Sequence, residues 1–164
     1  MMANFLLRGI VALLVLTACP STQAAAADGV YDAELARTVG ADERGMRGYV
    51  LVILKTGPNR VPAGPERDEM FKGHFANITR LADAGKLVLA GPLDGVDGWR
   101  GLFVMAVGDI EEARQLVATD PVIERGEMVA EYHKYYGTGA LMLVYDMHKR
   151  LVPTQSRSGA PGGK

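Results

Sequence analysis

The chain carries three histidines and a single cysteine, and of these His74 has the setting for proton chemistry. Met70, Phe71, His74, Phe75, Ile78, Leu81 and Ala82 recur at helical spacing between Glu66 and Ala84. That spacing turns His74, with Phe71 and Ile78, toward an apolar interior. A buried imidazole needs a hydrogen-bond partner. Two readings follow: a histidine that satisfies a core hydrogen bond, or a general acid/base, since imidazole is the side chain that ordinarily titrates near neutral pH. Asp120 is the carboxylate to ask for as its orienter, although an Asp before Pro121 is also a common device for ending a helix. Trp99 and Arg100, in the Gly-rich segment GPLDGVDGWRG, are candidate substrate-binding residues, stacking on an aromatic ligand and pairing with a carboxylate. Their alternative is a loop Trp capping the core edge beside a solvated Arg. Tyr132 is a third candidate for a cleft wall, and Tyr is also simply a good strand residue.

Other chemistries lack their parts. The one cysteine, Cys19, lies in the leader, so the folded region has no thiolate, disulfide or Cys-ligated zinc. No serine occurs between Ala27 and the tail, and no G-x-S-x-G elbow is present, which excludes a Ser-His-Asp hydrolase. There is no P-loop or G-x-G-x-x-G. The DGVDG loop lacks the acid spacing of a calcium loop, and no H-E-x-x-H or paired-His motif marks a metal site; no metal and no cofactor are expected. A net charge of −1 without a basic run gives no reason to expect nucleic acid.

The elements that must position these residues read in order. Residues 31–47 form an N-terminal extension with a short helix ended by Gly40. A strand at 49–55 precedes the helix at 66–84, which Gly85 closes. Strands at 87–90 and 102–107 flank the Gly-rich segment. Asp109 caps a helix from Ile110 to Thr119, with Glu112 in the capping-box position, and Asp120-Pro121 stops it. A last strand runs from Met128 to Tyr135. The result is βαββαβ, an α+β ferredoxin-like domain over 48–136. The first and third strands are apolar without alternation, so both sheet faces need cover. Two helices cover one face, and a homodimer joined sheet to sheet is expected to cover the other, or else an apolar ligand. Residues 137–152 form a C-terminal helical extension with Leu141, Val144, Tyr145 and His148 on one side. Residues 153–164 are polar, Gly- and Pro-rich, and expected to be disordered.

Residues 1–27 read as an export signal and tether: Arg8, then an apolar run from Gly9 to Ala18, too short to span a bilayer. Leu16-Thr17-Ala18-Cys19 matches a lipobox, which would make Cys19 the lipidated N-terminus. Ordinary cleavage after the Ala24–Ala27 stretch is the alternative. Either way the protein is expected in the bacterial envelope, periplasmic or anchored as a lipoprotein, touching membrane only through that anchor.

The segment KGHFANITRLADAGKLVLAGPL (72–93), with its helix His, Gly-ended helix and A-G-P strand end, resembles the YciI-like (YCII-related) family. DIEEARQLVATDPV (109–122) resembles the same family's second helix closing in Asp-Pro. The resemblance covers about 48–136, and the flanks look like those of an exported branch. It implies a dimeric α+β barrel and a cleft with a His–Asp acid/base pair, carried here by His74 and Asp120. Some relatives are associated with eliminating chloride from chlorinated hydroxyquinol-type aromatics. By that resemblance the chain is expected to act on a small cyclic or aromatic molecule. A non-catalytic binding module and a structural homodimer remain the alternatives.

Overall fold

The apolar run at Tyr49 becomes the central strand of a four-stranded antiparallel sheet, β1 (Met46–Thr56). The computed structural model describes residues 29–153; the leader with its Cys19 and the tail beyond Pro153 lie outside the described residues. α1 (Ala33–Thr38) precedes β1, and α2 (Pro65–Asp83), β2 (Leu87–Pro92) and β3 (Trp99–Met105) follow it. Then come α3 (Ile110–Val117), α4 (Pro121–Glu124) and β4 (Met128–Thr138). A 3-10 stretch, Gly139–Leu143, leads into α5 (Val144–Leu151). The strand order β2-β3-β1-β4 is the ferredoxin-like arrangement expected from the βαββαβ pattern.

Helices α2, α3 and α4 bury one face. Val52, Leu81, Met105, Ala113, Val117 and Val122 there are all 0% exposed, each of the larger ones worth roughly 1.5–3 kcal/mol of hydrophobic stabilisation. α2 is fixed at both ends. Pro65 begins it with Glu66 and Asp68 in the first turn, where acids oppose the helix dipole. Gly85 ends it in the left-handed region (φ 67°), with Lys86 N–H donating to Leu81 C=O at 2.9 Å. The midpoint of such a helix is a rigid mount, and His74 stands there.

The elements differ from the sequence expectation in several details, and the strands run longer at β1, β2 and β4. β3 begins at Trp99 rather than Leu102, because the glycines at 91 and 101 let β2 and β3 stay paired down to Pro92 and Gly101; a Cβ at Gly101 would lie 3.1 Å from the Gly91 carbonyl oxygen. In β2 a bulge between Leu87 and Leu89 resets the alternation. Leu87 and Ala90 therefore both face the helices, while Val88 turns to the other face. The helix expected to 119 ends at Val117, and Asp120 opens a separate turn of helix, α4.

The outer sheet face is apolar as the strand pattern required. Part of its cover comes from the chain itself: Leu141 and Met142, in the 3-10 stretch, pack on Tyr49, Val88, Val104 and Ala106. Leu89 and Val129 stay exposed (39% and 45%).

Candidate active site

Asp120 and His74 come together although 46 residues separate them. The approach depends on Gly73, whose missing side chain admits Pro121 against α2; a Cβ there would sit 2.9 Å from Pro121 Cγ. Pro121 opens α4 directly after Asp120, so this close fit delivers the carboxylate to the next residue of α2. His74 Nδ1 lies 2.9 Å from Asp120 Oδ1 and 2.8 Å from Oδ2. Asn77, one turn along α2, donates from Nδ2 to Asp120 Oδ2 at 3.2 Å. Val122 N–H donates to Oδ1 at 3.1 Å, so the same carboxylate is the N-cap of α4.

With Asp120 ionised and His74 neutral, the carboxylate only accepts, so Nδ1 is the protonated nitrogen and Nε2 carries the lone pair. Asp120 is 0% and His74 7% exposed. Around them a polar chain continues outward, with Arg80 Nη2 donating to Asn77 Oδ1 (2.6 Å) and to Thr119 Oγ1 (2.9 Å). Arg80 thereby braces Asn77.

The His74 ring borders a cleft of about 500 Å³ between α2 and the lower ends of β2 and β3. Its walls are aromatic and aliphatic. Phe103 stacks on the imidazole at 6.1 Å between ring centroids, and Phe75 lies at 5.4 Å. Leu54, Phe71 and Ile78 extend that surface, and Arg100 adds a cation.

The other two candidate ligand contacts are placed elsewhere. Trp99 is 45% exposed at the start of β3, outside the lining of this cleft. Tyr132 lies on β4, beyond β1 from the His74 side, and faces α3. The Arg114 guanidinium covers its ring at 4.7 Å, and the cavity it borders is a different one, with Pro58 and Ile123.

Sequence reasoning missed Asn77 and Glu127. Glu127 is a carboxylate with no exposed surface. Its Oε2 accepts from Val61 N–H at 2.7 Å. Its Oε1 faces three guanidinium groups: Arg67 at 2.8 Å, Arg60 at 3.5 Å and Arg100 at 3.8 Å. Burial pushes this carboxyl up, but the Val61 and Arg67 hydrogen bonds and the charges of Arg67 and Arg60 outweigh it and hold it below the ordinary glutamate value. Of these three cations, Arg100 borders the cleft. Arg100 Nη1 is buried and makes no hydrogen bond among the described residues. An acid before an apolar strand was the one available signal for Glu127, and it says nothing of which arginines arrive.

A YCII-related domain model matches residues 48–133. The chain belongs to the YCII-related family. Within that YCII-related domain lie both His74 and Asp120, together with Arg100 and Glu127, whereas α1, the 3-10 stretch and α5 fall outside it. No curated protein matches the chain. Among solved structures, the 5-chloro-2-hydroxyhydroquinone dehydrochlorinase of Burkholderia phenoliruptrix AC1100, in complex with 2,5-dihydroxybenzoquinone, is similar at 18% identity. The similarity covers 52% of this chain and 90% of that one, with a TM-score of 0.36.

Proposed function

We propose that this YCII-related protein binds a small cyclic or aromatic molecule bearing negative charge in the His74 cleft and performs cofactor-independent proton transfer on it, of the lyase or isomerase type. One observation carries the reading: an imidazole whose Nδ1 is held by both oxygens of a buried carboxylate, with its ring bordering an aromatic-walled cleft of about 500 Å³. His74 Nε2 takes a proton from a substrate O–H or C–H. The electron pair released either expels a leaving group from a neighbouring carbon, or the proton returns at another carbon. Asp120 fixes the tautomer and compensates the imidazolium that forms. Arg100 in the cleft lining supports the proposed negative charge, and Phe71, Phe75 and Phe103 give a planar ring its contact surface.

The test uses two compounds chosen for their chemistry: a chlorinated hydroxyquinol, assayed by chloride release, and 2,5-dihydroxybenzoquinone, a planar anion that is followed by its absorbance. The expected result is binding of both, chloride release by the wild type, and loss of release by at least a hundredfold in His74→Gln with quinone binding kept. Binding without release in the wild type would replace catalysis with a ligand-binding role. No binding of either compound would leave the domain with a structural role.

We also propose that the protein is exported to the bacterial envelope and works as a homodimer. The apolar leader followed by Leu-Thr-Ala-Cys supports export, and the apolar outer sheet face, with Leu89 and Val129 exposed, supports the dimer. Mass spectrometry of the protein from its native host is expected to give a chain starting at a lipidated Cys19, and twice that mass under native conditions. A chain retaining Met1, or a monomer, would overturn the corresponding half.

A further inference from the structure

Helix α5 lies outside the 48–133 family match, yet it forms one border of the His74 cleft through His148. Its seat is defined. The Tyr145 hydroxyl donates to Asp83 Oδ1 at 2.8 Å, tying the first turn of α5 to the end of α2, and the helix rests against β2. Three residues beyond that anchor, on the same helix face, His148 reaches the place where two hollows meet. One is the cleft of about 500 Å³; the other is a cavity of about 230 Å³ beneath α5, lined by Val144 and Tyr145. Ile78, Ala90 and His148 border both.

His148 is exposed and has no hydrogen bond or ion pair among the described residues. Its charged helix neighbours are engaged: Lys149 pairs with Asp146 at 2.6 Å. The only acid that α2 presents to α5, Asp83, is held by Tyr145. β2 offers no titratable side chain, and the cleft contributes His74 and Arg100. Thus one imidazole of the cleft is fixed by a carboxylate, while the other keeps its hydrogen-bonding capacity unspent.

We propose that His148 is a second ligand-contacting imidazole of this cleft, donating a ring N–H to an oxygen of the bound cyclic molecule while His74 Nε2 accepts the proton that moves. This rests on the cleft being the ligand site proposed above. Neutral imidazole always keeps one N–H, so the donation needs no change of charge. α5 is then a specificity element added to the family domain: it selects ring molecules with an oxygen on the α5 side. Tyr145 is the positioning residue.

The full chain is titrated with 2,5-dihydroxybenzoquinone while the imidazole proton resonances and the affinity are followed. Both His74 and His148 resonances are expected to shift on binding. His148→Ala is expected to weaken binding about tenfold, as for a lost hydrogen bond to a charged group. His148→Gln, whose amide still donates, recovers part of this. Tyr145→Phe weakens binding in the same direction, and His133→Ala leaves it unchanged. His148 is on the surface, so its substitution leaves folding intact. If the quinone shifts His74 while His148→Ala binds within about twofold of wild type, this proposal falls and the cleft reading stands. If neither histidine responds, both fall together.

Discussion

Asp120→Ala is expected to destabilise the fold by roughly 3–5 kcal/mol and to abolish turnover. The carboxylate is fully buried and accepts from His74 Nδ1, Asn77 Nδ2 and Val122 N–H at once. Alanine strands all three donors, each at a cost of roughly 1–3 kcal/mol where water cannot reach. The Val122 donor among them is the N-cap contact of α4, whose loss alone is worth about 1 kcal/mol. Asp120→Asn separates the two roles. Its amide oxygen can still accept from Val122, so about half the stability loss is expected, while the charge that supports an imidazolium is gone. Urea unfolding reads the first effect. Nitrogen-15 spectra of His74 read the second, as a loss of the pure Nδ1–H tautomer. An unchanged urea midpoint in Asp120→Ala would remove the network from any account of this fold.

Glu127→Ala should be as damaging, and its effect should depend on acid. Removing one partner of a buried ion pair costs roughly 3–5 kcal/mol, and here Arg60, Arg67 and Arg100 lose their shared counter-charge together. The carboxyl is held below the ordinary glutamate value when folded. Between the two values the unfolded chain therefore binds more protons, and stability rises with pH. The contribution is fully present above the ordinary value and is lost as pH falls through the lowered folded one. Urea midpoints taken from about pH 7 down to about pH 3 are expected to fall more steeply for wild type than for Glu127→Gln. Parallel curves would mean that the arginines do not hold the carboxylate ionised.

The order of elements was legible because apolar spacing changes period at recognisable punctuation. The i, i+3, i+4 face of α2 ends at Gly85, and the unbroken apolar run of β1 announces a strand buried on both faces. His74 could be placed on the inner face by the same spacing. Its contact with Asp120 could only be asked for, since it depends on the fit of Gly73 against Pro121, a tertiary fact. The helix stop at Asp120 was read from Pro121, but its carboxylate is a start signal as well as a stop. Tyr132 illustrates the opposite case. Strand propensity placed it in the sheet, and only the strand order put it on the α3 side, away from the cleft. Glu127 showed only as an acid before an apolar strand, and its role could not be read because its partners come from a loop, α2 and β3.

The residues that follow β4 travel from one side of the sheet to the other. Leu141 and Met142 lie on the outer face, and within a few residues the chain has reached the border of the cleft at His148. Under the proposed dimer, the stretch that helps cover the outer face continues directly into the helix that borders the cleft. The outer-face cover and the cleft border are thus one length of chain, pinned to α2 at the Tyr145–Asp83 hydrogen bond.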